Sequence, residues 1–243
     1  MMHKLFSLIA LVSVILPVKA QFDLTDHQHA FTFGAMAHTK GEGIDINYIR
    51  NVESTMQTLW DFDFVSMRHP KQKSIYNANL PNPRPYVYGK LNRFYVMRTG
   101  YGRKIQLAER TSKNNIGLLL TASAGLSSGF TKPVYIDYAS VDVNGVLTPV
   151  TVKYEPGNPE QQQRYIIGNA SFSKGLNELK YYPGLYFKTG INVEWGNYIS
   201  DYKCIEIGMV VDYFPGRPDI MYQIKNKTVF SSFYISFALG KTN

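Results

Sequence analysis

One stretch constrains the chain more than any other, Asn226 to Gly240 (NKTVFSSFYISFALG). Read with a period of two, Val229, Phe233, Ile235, Phe237 and Leu239 fall on one face, and Ser232, Tyr234, Ser236 and Ala238 on the other. A helix would scatter these side chains round its surface, whereas a strand sorts them by side. The segment is also about the length at which a tilted strand crosses a bilayer. In a soluble sandwich such alternation means core on one face and water on the other. In an outer-membrane barrel the apolar face meets lipid and the polar face meets the lumen.

The same pattern recurs along the chain. Phe31, Phe33, Ala35 and Ala37 oppose Thr32, Gly34, Met36 and His38, and a Gly-rich turn at 40–43 leads into Ile44 to Arg50. Between Thr58 and His69, Trp60, Phe62 and Phe64 alternate with Asp61 and Asp63. Lys90 to Leu107 sets Tyr95, Met97, Thr99 and Tyr101 against Arg98, Gly100, Gly102 and Lys104. Ile116 to Phe130 reads as a fifth strand that runs on towards Tyr138, with Pro133 on an unpaired rim. Tyr182 to Trp195 and Lys203 to Phe214 are the sixth and seventh. Eight strands is an even number, and the long connections (70–88, 139–181 and 214–225) all fall at one end. The short turns near Ser54, Asn114 and Asn197 all fall at the other, which is the asymmetry of outer-membrane barrels. The expected fold is therefore all-β, an eight-stranded antiparallel up-and-down transmembrane β-barrel with long extracellular loops. The insertion 139–181 is expected to hold a turn at Val143-Asn144-Gly145 and a short helix from Ser173 to Leu179.

Composition agrees with an alternating barrel. Apolar residues make up 44% of the chain without any run long enough for a transmembrane helix after the first twenty residues, and the 18 Tyr and 14 Phe suit strands and interface girdles. Lys4, the apolar run Leu5–Val18 and the exit Val18-Lys19-Ala20 read as a signal peptide over 1–20, leaving a mature barrel domain over 21–243. The formal charge of +8 then falls to +6 with the loss of Lys4 and Lys19. Cys204 is alone, so neither an internal disulfide nor a cysteine metal cage is available.

Inward parity predicts a lumen network of Asp45, Asp61, Asp63, Arg98, Lys104, Lys188, Glu194, Glu206 and Asp212. Charges of both signs in a barrel this narrow should pair and plug it rather than conduct. A small-solute pore is the alternative. A lipid-modifying enzyme is the weaker one, since His38 and His69 should lie near the outer rim but no GxSxG-type elbow accompanies them. No catalytic residue, metal site or cofactor is expected; His27 and His29 lack a third ligand. Arg68, His69, Lys71 and Lys73 cluster where the third strand leaves the membrane, placed to meet lipopolysaccharide phosphates or an acidic partner. An aromatic–basic reading motif for nucleic acid is missing.

Several segments carry a resemblance: Ala20-Gln21, Phe64 to Lys71 (FVSMRHPK), Tyr86 to Asn92 (YVYGKLN), Gly100-Tyr101-Gly102, Lys132 to Tyr135 (KPVY) and Phe233 to Phe237. Together they resemble a family of small outer-membrane β-barrel proteins of the Bacteroidota. The resemblance brings no catalytic motif. Phe237 is followed by Ala-Leu-Gly-Lys-Thr-Asn instead of closing the chain, so recognition by the barrel-assembly machinery is expected to differ. The resulting expectation is a non-enzymatic barrel in the bacterial outer membrane, in contact with outer-membrane lipid and lipopolysaccharide. It would act through its loops as an accessory subunit of an envelope complex for assembly or secretion.

Overall fold

A computed structural model describes residues 29–50, 55–80, 82–108, 116–141, 147–159, 161–195, 202–224 and 226–242. The signal segment, His27 and the turns near Ser54, Asn114, Val143 and Asn197 lie outside these residues. Thirteen strands follow in chain order: β1 (His29–His38), β2 (Gly41–Arg50), β3 (Met56–Met67), β4 (Ser74–Ile75), β5 (Tyr86–Val87), β6 (Asn92–Ala108), β7 (Gly117–Pro133), β8 (Tyr135–Val141), β9 (Leu147–Lys153), β10 (Ile166–Asn169), β11 (Lys180–Trp195), β12 (Tyr202–Tyr213) and β13 (Val229–Thr242). Eight of them close a barrel in the order β1-β13-β12-β11-β7-β6-β3-β2, every pair antiparallel. Sequence neighbours are ladder neighbours throughout, so the fold is the expected up-and-down barrel, and closure leaves no free edge.

The alternation has the sense a membrane requires. Phe31, Phe33, Trp60, Phe62, Phe64, Leu126, Phe187, Ile207, Phe233, Ile235 and Phe237 are exposed on the outer wall, while Asp61, Asp63, Arg98, Lys188, Asp212 and Ser232 are buried inside. The outward cations mark the height of the apolar band. On β6 they are Arg103 and Arg93, ten residues apart, with Tyr101, Thr99, Met97 and Tyr95 between them. At ~3.3 Å per residue and a tilt of about 40°, that separation spans about 25 Å, the thickness of a lipid-facing band. Outward Arg50, Lys203 and Lys241 lie with Arg103 towards the short-turn end, where long cationic stems can reach headgroups.

The fifth strand does not continue to Tyr138. β7 ends at Pro133, and the chain re-enters as β8 in a separate sheet of order β10-β8-β9. Proline can end a ladder but cannot donate within one, so the break falls there. The insertion accordingly spans the interval between β7 and β11, a few residues earlier than 139–181. The helix expected over Ser173–Leu179 is a single 3-10 turn, Leu176–Glu178, entered through Gly175 at φ 80°. The 70–88 connection is not wholly irregular either, since β4 and β5 pair within it.

An arginine placed in the middle of the apolar band should be costly only if lipid surrounds it. Met97→Arg is expected to lower unfolding stability in vesicles by about 2–4 kcal/mol, measured by denaturant titration. A wall facing water would register almost nothing.

Candidate functional site

The lumen is filled in three tiers. Towards the short-turn end, Ala30, Ile49, Leu59, Tyr202, Cys204 and Ala238 form an apolar floor. The middle is ionic. Towards the loop end, Phe94, Phe214 and Phe230 meet at ring-centroid distances of 5.4–5.9 Å, joined by Val65, Met67, Val96, Ile220 and Met221. The expectation of a polar interior therefore holds only for the middle. The lid was missed because Phe214, Ile220 and Met221 come from a connection, although the inward Val65, Met67, Phe94 and Val96 already show strand ends whose lumen face is apolar.

In the ionic tier, Arg98 grips Asp212 with two parallel bonds, Nε to Oδ1 at 2.8 Å and Nη2 to Oδ2 at 2.9 Å, and Nη1 reaches Asp63 Oδ2 at 3.2 Å. Lys188 Nζ donates to Asp61 Oδ1 at 3.1 Å and Asp63 Oδ1 at 3.0 Å. Lys104 Nζ donates to Glu194 Oε1 at 3.2 Å and to the Tyr202 hydroxyl at 3.0 Å. All nine predicted lumen residues point inward, and eight are almost fully buried; Glu206 is half-buried. Six carboxylates face three cations, and neutral donors support the surplus. Ser123 and Tyr186 donate to Asp61, Ser127 to Asp212, Ser236 and Asn47 to Asp45, and Thr121, Asn192 and Tyr234 to Glu206. Buried charges tolerate the interior only when so satisfied. Room for them comes from inward glycines; a Cβ at Gly208 would sit 2.7 Å from the Tyr234 hydroxyl.

This arrangement ties strands to one another across the lumen. Its hydroxyls donate to carboxylates already committed to cations or amides, and among the described residues no histidine is hydrogen-bonded to them. His38 and His69 do lie at the loop-end rim, but each Nδ1 accepts a backbone N–H two residues on, from Lys40 and Lys71, at 3.2 Å. Among the described residues, no three His, Cys, Asp or Glu side chains are grouped to hold a metal ion.

Above the lid, the connections knit into one cap. Leu91 N–H bonds Ile220 O and Tyr222 N–H bonds Gly89 O, tying the β3–β6 and β12–β13 connections together. Arg84 N–H bonds Ile167 O, Asn169 Nδ2 bonds Pro85 O at 2.8 Å, and the Arg84 side chain pairs with Asp137, tying in the small sheet. Tyr86, Val134, Ile136, Tyr154 and Ile166 give the cap a core of its own.

The basic rim is only partly the predicted cluster. Arg68 pairs with Glu42, an exposed ion pair of little worth. His69 keeps company with Lys71, Lys227 and Lys40 rather than Lys73, and burial with these cations pushes its pKa down. Lys90, half-buried in the cap, donates to Gln72 Oε1 at 3.1 Å; burial first, then Arg93 and Arg68, push its pKa down to about 8.

No family model matches the sequence, and no curated protein matches it. Among solved structures, Neisserial surface protein A is similar over 89% of this chain and 95% of its own, at 10% identity and TM-score 0.38. The attachment invasion locus protein Ail of Yersinia pestis, in complex with the heparin analogue sucrose octasulfate, is similar over 90% of this chain and 100% of its own, at 8% identity and TM-score 0.39.

Two predictions follow from the geometry. Arg98→Met strands Asp212 and should lower stability by about 3–5 kcal/mol, whereas Arg98→Met with Asp212→Leu should recover most of the loss, read by denaturant titration in vesicles. For Lys90, the unfolded chain binds more protons between pH 8 and 10.5, so cap stability should rise with pH across that window. Acylation at pH 8, followed by peptide mass spectrometry, should label Lys90 ahead of ordinary surface lysines, and the preference should fade as the pH rises towards 10.5, where ordinary lysines lose their protons too.

Proposed function

We propose that the chain is a non-enzymatic barrel of the bacterial outer membrane, exported with a cleaved signal peptide over 1–20. It serves as an accessory subunit of an envelope protein complex for assembly or secretion, and meets its partners through the cap. The observation that carries this reading is the pairing of a filled lumen with a folded cap. A barrel sealed by an apolar floor, an ion-paired middle and an aromatic lid has little room for solute. A small-solute pore is therefore disfavoured.

The cap is ordered well beyond what closing the loops needs. Its sheet ends on β9, whose residues Thr148 to Thr151 are exposed and whose outer edge is open in the sheet order. Such an edge is a natural place for another chain to pair. Cap, rim cations and lipid-facing wall give the barrel separate faces for protein and for outer-membrane lipid, including lipopolysaccharide.

A photo-crosslinking residue at Val150 should give discrete adducts with envelope proteins in native membranes, and the same residue at Leu126 on the lipid face should not. A barrel that purifies as a partnerless monomer, with no adduct from either position, would overturn the reading.

A further inference from the structure

Arg93 and Lys132 are direct cross-strand partners on β6 and β7, and both lie on the outward face. Arg93 continues the parity of Tyr95 and Met97; Lys132 continues that of Ser128 and Phe130. Like charges opposite each other repel, yet neither side chain has a hydrogen bond or an ion pair to any described residue. Their contact is with one aromatic ring. Lys132 Nζ sits 4.6 Å from the centroid of Phe172, and the Arg93 guanidinium carbon 5.9 Å from it. Lys132 is only 3% exposed, so a cation without a counter-charge is held against the barrel wall.

The position says which kind of anion these two cations could meet. The pair stands two rungs above Tyr95 and Phe130, the next position on the same face, at the upper border of the apolar band, where headgroups lie. Phe172 packs edge-on against Tyr95 at 6.4 Å, and Leu176 and Leu179 in the same connection are exposed beside β7 and β11. Cations above, apolar side chains below and at the flank, is the layout of a lipid with a phosphorylated head.

We infer that Arg93, Lys132 and Phe172 form a binding site for the phosphate of a phosphorylated glycolipid in the outer leaflet. Arg93, the more exposed of the two, meets the phosphate, Lys132 adds its charge from beneath, and Phe172 holds both cationic heads in place. Acyl chains descend over Met97 and Leu126. The site rests on the outer-membrane part of the proposed function, but it uses the membrane wall and leaves the cap free, so it stands or falls separately from the protein-partner part.

Wild-type protein, Arg93→Ala/Lys132→Ala and Arg93→Lys/Lys132→Arg would be purified from outer membranes in mild detergent and weighed by native mass spectrometry. Arg103→Ala, at the opposite border of the band, is the control. Heat-modified gel mobility confirms that each barrel is folded. The wild type, the charge-preserving variant and Arg103→Ala should carry a phosphorylated glycolipid, and the double alanine variant should lose it at least tenfold. Added inorganic phosphate should not displace the lipid, and vesicles of phosphatidylglycerol alone should load the site less than vesicles containing lipid A. Equal retention by the double alanine variant would overturn the site. Displacement by free phosphate, or equal loading from phosphatidylglycerol, would overturn the glycolipid as its occupant.

Discussion

Arg98 reaches across the barrel. Its bidentate grip on Asp212 links β6 to β12, three ladder steps away round the wall, and its third bond, to Asp63, returns to β3. Lys188 takes up Asp63 and Asp61 from β11, again three steps from β3. These two chords cross a lumen that hydrocarbon surrounds, where an unanswered charge is far more expensive than in water. Because strand side chains alternate with a period of two, a slip of one residue in β3 would turn Asp61 and Asp63 towards lipid and Phe62 and Phe64 towards the chords. The ion pairs thus contribute less as net attraction than as a penalty on every other register. The lipid-facing belt imposes the same rule from outside, so the two faces specify one alignment.

That double constraint explains why the wall was legible from sequence. Wherever lumen and lipid demand opposite chemistry, as at Trp60-Asp61-Phe62-Asp63 or Ser232 to Phe237, parity alone assigns each side chain. The rule lapses where the two faces stop differing. At Val65–Met67 and Phe94–Val96 the inward positions are apolar as well, because an aromatic lid replaces the ionic tier, and alternation carries no mark of it. Pairing between distant segments was hidden for another reason. Nothing local in Leu91 or Ile220 announces their backbone bond, and Pro133 reads equally well as a rim residue inside a strand or as the end of one. The lumen residues were found by parity, but the partnership of Arg93 with Lys132 depends on the register between β6 and β7, which parity does not fix.

The lid and the cap solve one problem between them. An ionic tier open to bulk water would have its pairs screened and its chords loosened. Phe214 and Ile220 exclude that water from above, but they lie on a connection and need support to stay down. The support is backbone pairing: Phe214 N–H bonds Thr228 O at the base of the connection, while Ile220 O accepts from Leu91 and Asn92. The segment ending in Leu91 and Asn92 is in turn fastened to the small sheet, where Val134 N–H bonds Leu91 O and Gly89 N–H bonds the Tyr154 hydroxyl at 3.1 Å. A continuous chain of contacts therefore runs from the core of the cap to the Arg98 chord. A partner that levered the cap away from the rim would lift Ile220 and Met221 with it and admit water to the ionic tier. Docking that leaves the cap seated would preserve the seal, which favours recognition along the outer edge of β9 over insertion between cap and barrel.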